Sequence, residues 1–208
     1  MIDINYSPAA YNKLILAQFG KVNKLNLLQS WYYYVIDSQY RTKRRLDKFI
    51  KKQLINPDER LVKLANELCD KNHDFDNTII NILSWVIKNI KYKYDSLNFG
   101  KSEYWASAIE TIEKGEDDCD GMNALVYILA RLAGVPDYIL YNHIGDVKQG
   151  GHYWLTYYSP RYAKMVAIDA TYYKTKRIVK LRPHFVYSKE FYVKSWYIFN
   201  DKIIFKVR

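Results

Sequence analysis

Along the first ninety residues the apolar positions recur at three- and four-residue intervals, the spacing of one face of an α-helix. Ser7-Pro8 offers an N-cap followed by proline at the first helical position, and Gly20 offers a stop. In TKRRLDKFIKKQL, from Thr42 to Leu54, the residues Leu46, Phe49, Ile50 and Leu54 fall on one stripe. Asn56-Pro57-Asp58-Glu59 supplies a cap, a preset φ angle and first-turn acids for a helix running to about Cys69. Asp76 reads as the cap of DNTIINILSWVIKNI, whose Ile79, Ile80, Leu83, Val86, Ile87 and Ile90 share a face.

Beyond a loop at residues 95–104 and one more short helix, the period changes. YILYN, HYWLTYY, AKMVAID, SWYIF and KIIFKV are aromatic and β-branched runs, several of them alternating, and they predict strands. Asn200-Asp201 sits where a hairpin turn would join the last two. Between the halves lies GEDDCDGMNALVYILARLAGVP, residues 115–136. From Met122 its apolar positions Leu125, Leu129, Leu132 and Ala133 take helical spacing, and Gly134 and Pro136 close it. Helices first and antiparallel strands second predict an α+β fold: a helical N-terminal half, with the helix that begins at or just after Cys119 packed on an antiparallel sheet. The expected division is a helical extension over 1–75, a core over 76–171, and a β extension over 172–208 that completes the same domain.

Charge adds a second layer. The 208 residues carry 32 Lys and Arg against 22 acids, a net charge of +10 with a pI near 9.3. Such a balance is the footprint of nucleic-acid or anionic-surface binding, and it is equally the composition of an AT-rich coding sequence, with 23 Lys to 9 Arg and 21 Tyr. The charge is unevenly placed. Residues 1–99 carry +6 and residues 160–208 carry +9, whereas residues 100–159, which hold Cys119 and His152, carry −5. An acidic centre argues against nucleic acid as a substrate. No apolar run approaches the 18–20 residues of a membrane span, and the N-terminus lacks the basic-then-apolar pattern of a secretory signal. Two cysteines, Cys69 and Cys119, exclude a disulfide framework and suit a reducing, cytoplasmic setting.

Cys119 falls at or just before a helix start, where unpaired N–H groups and the helix dipole favour a thiolate. Asp117, Asp118 and Asp120 oppose a bare thiolate but would help hold a partner imidazole as imidazolium. His152 opens a predicted strand after IGDVKQGG, read as a glycine-bearing loop, and Asp169 ends another strand. On adjacent antiparallel strands the two would face each other, giving nucleophile, base and orienter. The other histidines carry less. Cys69 with His73 at i, i+4 is two ligands without a second pair, and His143 and His184 have no chemical context. The strip Trp31-Tyr32-Tyr33-Tyr34 suits core and interface packing, and the basic stretch 42–54 suits packing with a solvated face, the alternative being contact with nucleic acid or a membrane surface.

With SWVIKNIKYKYD, YWASAIETIEKG, DDCDGMNALVYILARLAGVP, GGHYWLTYY and MVAIDATYY in this order, the segment from Asp76 to Thr171 resembles the transglutaminase-like fold of papain-like cysteine enzymes, including bacterial transglutaminase-like cysteine proteinases. The resemblance implies Cys119 as nucleophile, His152 as general base and acid, and Asp169 as orienter, with Trp105 assisting the oxyanion. It implies thiol-dependent acyl transfer or hydrolysis on a peptide or amide bond, with a protein or peptide as substrate. Some relatives need Ca²⁺, but Asp117, Asp118 and Asp120 lack a calcium-loop spacing and read as a solvated acidic loop, so no cofactor is expected. Small proteins of this kind are also encoded by phages. The alternative is therefore a virion or assembly component that keeps the fold and binds a protein partner through its Tyr- and Trp-rich flanks.

Overall fold

The computed structural model describes residues 7–37, 45–172 and 191–208. Among these, eight helices stand with a six-stranded antiparallel sheet and one small parallel pair. Helices α1 (Pro8–Leu16), α2 (Leu27–Ile36), α3 (Leu46–Ile55), α4 (Glu59–Leu68) and α5 (Phe75–Asn89) come first, with a 3-10 turn (Ala17–Phe19) and strand β1 (Val22–Lys24) between α1 and α2. Then follow β2 (Lys91–Tyr92), α6 (Asp95–Asn98), α7 (Ala108–Lys114), β3 (Glu116–Asp117) and α8 (Cys119–Leu132). Strands β4 (Leu140–Val147), β5 (Gly150–Ser159), β6 (Lys164–Ile168), β7 (Tyr192–Phe199) and β8 (Ile204–Val207) complete the chain in the order β1-β8-β7-β4-β5-β6.

Local chemistry explains most boundaries. Ser7 Oγ accepts from Ala10 N, and Asp58 caps α4 by accepting from Arg60 N. The cap of α5 is Asp74, not Asp76. Asp74 accepts from Asn77 N, and Asp76 lies in the first turn, where its buried Oδ2 accepts from Arg161 N in the turn between Ser159 and Lys164. Helix α3 starts at Leu46, and the predicted stretch Thr42–Arg44 lies outside the described residues, as does His184. Leu46, Phe49 and Ile50 are buried, so this basic helix packs through its apolar stripe.

Two predicted loops are structured. Residues 95–98 form α6. Ile144-Gly145-Asp146-Val147 continues β4, and Gly150-Gly151 begins β5, so the stretch read as a loop is a hairpin turning at Lys148-Gln149. Gly145 permits this continuation. A Cβ there would lie 2.0 Å from the Lys194 carbonyl oxygen of the neighbouring strand β7, closer than any side chain tolerates.

The centre of the molecule is α8. Asp120 through Ala130 are all buried, because α3, α4, α5 and α7 close over it on one side and β5 supports it on the other. A helix buried all round needs no single stripe, which is why the sequence pattern underestimates its burial. Its C-terminal half is tied to the β7–β8 turn: Tyr127 Oη and Arg131 Nε both donate to Asp201 Oδ1, at 2.6 and 2.9 Å. These anchors fix the position of the N-terminal end, and with it Cys119.

Candidate active site

Cys119 is the first residue of α8. Asp118 caps the helix, accepting from Asp120 N at 3.0 Å, and its own N–H is held by Asp117 Oδ1 at 2.9 Å. The Asp117 carboxylate also accepts from Thr111 Oγ1 at 2.6 Å. It presses on the next turn of α8 so closely that a Cβ on Gly121 would stand 2.0 Å from Asp117 Oδ2. The short parallel pair β2–β3 places Tyr92 opposite Asp117, and so brings Tyr92 and Tyr94 to the cysteine.

From β5, His152 reaches the same place. Its cross-strand partner is Gly145, which leaves the imidazole without a bulky neighbour on β4. His152 Nε2 lies 2.7 Å from Asp169 Oδ2, with both side chains buried. That contact leaves Nδ1 as the ring nitrogen available for proton transfer. Asp169 is held from several sides: Thr171 donates from its backbone N and Oγ1 to Oδ1, at 3.1 and 2.7 Å, and Tyr192 Oη donates to Oδ2 at 3.0 Å. Burial alone would raise the Asp169 carboxyl, but the His152 and Thr171 contacts outweigh it and hold it below the ordinary value. The edge of Tyr172 meets the His152 ring at 4.9 Å.

Cys119 and His152 share two adjoining cavities. One, of about 380 Å³, is walled by Tyr92, Tyr94, Val147, Gln149, Thr171 and Tyr172. The other, of about 170 Å³, is acidic, with Glu103, Asp118 and Asp120 in its wall. The structure therefore joins His152 to Asp169 and sets Cys119 beside them. No hydrogen bond joins the Cys119 sulfur to the His152 ring in this conformation; the sulfur faces the backbone N–H of Tyr153. Trp105 does line the acidic cavity, but its indole N–H donates to Glu103 Oε1 at 3.0 Å, which takes away the donor role implied for it. Its ring packs edge-on against Phe49 and Tyr153.

The acids around Cys119 are not a solvated loop. Asp117 and Asp120 are buried, and Asp95, from a different part of the sequence, joins Asp118 and Asp120 so that one oxygen of each lies within 4.8 Å of the others. Asp95 Oδ1 and Asp120 Oδ1 are buried without a hydrogen-bond partner. Burial, with like charges behind it, pushes Asp117 up to about 6 and Asp118 up to about 7, and raises Asp120 well above the carboxylate range. The same forces raise the Cys119 thiol: burial first, then the charges of Asp118 and Asp120. The expected thiolate at a helix N-terminus is thus countered by its surroundings, and the resting form is the thiol. A hard divalent cation, bound through oxygen ligands, fits this donor set and would satisfy the two orphaned oxygens.

A sequence profile of the Transglutaminase-like superfamily matches residues 62–170, just over half of the 208. The chain belongs to the transglutaminase-like superfamily. The match begins within α4, earlier than the resemblance read from Asp76, in keeping with the packing of α4 on α8. Membership in the superfamily supports a thiol-dependent peptidase or acyltransferase kind of chemistry. No curated protein sequence matches the chain. Among solved structures, it is similar to a Cytophaga hutchinsonii protein assigned as a cysteine protease, at 21% identity over 58% of this chain and 38% of that one, with a TM-score of 0.42. Similarity to Legionella pneumophila LapG, in its EGTA-treated form, is 19% identity over 72% of this chain and 85% of that one, with a TM-score of 0.46. For a TGase the values are 14% identity, 91% and 53% coverage, and a TM-score of 0.41. The chain thus spans about two fifths of the length of the C. hutchinsonii protein.

Sequence reasoning missed several residues of this transglutaminase-like site. Asn123, one turn into α8 from Cys119, Tyr192 on β7, and the tyrosines of the cavity wall carry no motif signal. Only the i, i+4 spacing of Cys119 and Asn123, which puts both on one helix face, would have singled out Asn123.

Proposed function

We propose that Cys119, His152 and Asp169 act as nucleophile, base and orienter in acyl transfer or hydrolysis at a peptide or amide bond of a protein or peptide substrate. One observation carries this reading: a buried His152 Nε2–Asp169 Oδ2 contact of 2.7 Å at the wall of a cavity that also holds Cys119. In a protein, such a contact fixes the imidazole tautomer and stabilises the imidazolium.

The Cys119 thiol gives its proton to His152 Nδ1, and the sulfur attacks the substrate carbonyl carbon. The oxyanion that forms is placed at the first N–H of α8, which belongs to Cys119 and precedes the intrahelical ladder. Collapse of the tetrahedral intermediate breaks the C–N bond. His152 returns its proton to the leaving amine, and a thioester remains on Cys119. Water, deprotonated by His152, then yields the acid, or an incoming amine yields a new amide. Because the thiol is raised rather than depressed, proton transfer to His152 accompanies attack instead of preceding it as a standing ion pair.

Labelling with iodoacetamide, read by mass spectrometry at each cysteine, tests this. Because His152 takes the proton as the sulfur attacks, Cys119 is expected to react faster than Cys69 despite its raised pKa. Cys69 has its S–H pointed at the Asp70 and Ala133 carbonyls, and His152→Ala is expected to slow Cys119 alone. Cleavage of a protein substrate, or incorporation of a fluorescent amine into it, is expected to vanish in Cys119→Ala. Equal, slow labelling of both thiols would end the enzyme reading and leave that of an assembly protein.

A further inference from the structure

Helix α2 is amphipathic in the reverse sense. At about 100° per residue, Leu27, Leu28, Trp31, Tyr32, Val35 and Ile36 occupy one continuous half of its circumference, and each is between 54% and 76% exposed. The opposite half faces the protein. Ser30 is buried there, and the Tyr33 ring meets Tyr197 edge-on with Lys206 Nζ 4.7 Å from its centre. All six are more than half exposed and contiguous, and a contiguous apolar face of this kind marks an interaction site.

The helix itself holds no charge, and the residues around it hold one sign. From position 4 to position 36 the sequence has Lys13, Lys21 and Lys24 and no acid. Lys21 and Lys24 are exposed just before α2, and exposed Arg208 lies alongside, its N–H bonded to the Lys21 carbonyl at 3.0 Å. Asp37, at the helix end, is engaged by Lys206 and by Tyr197 Oη. A second copy of this chain laid in parallel on α2 would bring the Lys21, Lys24 and Arg208 groups together. An anionic surface would meet the same charges as attraction.

We propose that α2 is a peripheral docking element for an anionic lipid bilayer. The helix lies in the plane of the interface, with Leu27, Leu28, Val35 and Ile36 at the acyl boundary. Trp31 and Tyr32 sit at headgroup level, where such rings are favoured, and the Lys21–Lys24–Arg208 group faces lipid phosphates. Among the described residues no helix is long and apolar enough to cross a membrane, and this docking needs none.

Co-sedimentation with vesicles is the test, using phosphatidylcholine with and without phosphatidylglycerol. The full chain is expected to pellet with the anionic vesicles, more weakly as salt rises, and not with phosphatidylcholine alone. The pair Leu28→Glu and Trp31→Glu changes only exposed positions, so circular dichroism should show an intact fold while vesicle affinity falls by about tenfold or more. Lys21→Glu with Lys24→Glu is expected to weaken binding by about thirtyfold or more, from roughly 1 kcal/mol per basic residue at an anionic surface. Absence of pelleting with anionic vesicles at low salt overturns the proposal, and so does pelleting that the α2 variants leave unchanged. A dimer in sedimentation velocity that Leu28→Glu dissolves, without vesicle binding, assigns the face to a second copy instead.

Discussion

Asn123 Nδ2 donates at 2.8 Å to the carbonyl of Tyr153, the residue whose backbone N–H faces the Cys119 sulfur. The same amide lies 3.3 Å from Asp169 Oδ1, and Asn123 Oδ1 accepts from Ala170 N at 2.8 Å. A single buried side chain on α8 therefore ties the nucleophile helix to the strand of His152 and to the segment carrying Asp169.

Asn123→Ala removes all three contacts and strands a buried carbonyl and a buried N–H. At about 1–3 kcal/mol for each unsatisfied group, the expected loss is roughly 5–10 °C in Tm for a chain of this size, measured by thermal melting. On a cleavable substrate the expected kinetic effect is a fall of about tenfold in kcat with KM little changed, because geometry rather than binding is lost. Asn123→Asp keeps the size but turns an acceptor toward the Tyr153 carbonyl and the Asp169 carboxylate, so it should not rescue.

Where the signal was local, the sequence was legible. Ser7, Gly134 and the Asn200 turn act through neighbours a few residues away, and the structure uses each as the pattern predicts. The α4 cap instead falls on Asp58, read with Glu59 as a first-turn acid, because its carboxylate accepts from Arg60 N. The order Cys119, His152, Asp169 was legible as a motif, and the His152–Asp169 contact follows from strand neighbours. What stayed hidden depends on pairing across the chain. Asp95 approaches Asp118 and Asp120 only because β2 pairs with β3 and α6 follows. The strip Trp31-Tyr32-Tyr33-Tyr34 read as core and interface packing together, because consecutive rings carry no label for inside or outside. Trp105 carried the implied donor, yet Glu103, two residues away, claims its N–H.

Asp118 is pushed up to about 7 by burial and neighbouring acids, against 3.8 in an unfolded chain, so the folded state prefers the proton. Its stabilising effect is full below about pH 3.8 and is lost as pH rises through 7. Asp118→Asn keeps a capping side chain and removes the titration. The variant is expected to gain about 1–3 kcal/mol relative to the parent at pH 8 and to match it near pH 4, as read from denaturant unfolding at the two pH values.

The same substitution removes a negative charge beside the Cys119 thiol. At pH 8 iodoacetamide should label Cys119 faster in Asp118→Asn, because the thiolate loses a like-charged neighbour that raises its pKa. At pH 6, where the parent Asp118 is already protonated, the two proteins should converge. Equal rates at both pH values would show that the charge of Asp118 does not reach the sulfur.

Three carboxylates within 4.8 Å, two of them with orphaned oxygens, hold either protons or a cation. Millimolar Ca²⁺ at pH 8 is expected to raise Tm, EGTA to reverse the change, and Asp120→Asn to abolish it. Saturation at one hundred times Kd corresponds to about 2.7 kcal/mol. A Tm indifferent to Ca²⁺ at pH 8 would mean that the group is kept neutral by protons alone.

Gly121 and Asp117 form the tightest approach around the nucleophile turn. A Cβ on residue 121 would fall 2.0 Å from Asp117 Oδ2 and 2.1 Å from its Cγ. The carboxylate has little freedom to withdraw, because it is fixed by Thr111 Oγ1 and by Asp118 N. Gly121→Ala should therefore destabilise by about 2–4 kcal/mol despite the better helix propensity of alanine. Asp117→Ala alone should also destabilise, through the loss of both hydrogen bonds. In the double variant the clash is absent, so the two losses should be strongly non-additive, with a coupling of roughly 1–3 kcal/mol in a double-mutant cycle. Simple additivity in urea unfolding would show that α8 shifts to make room, and that the position of Cys119 is not set by Asp117.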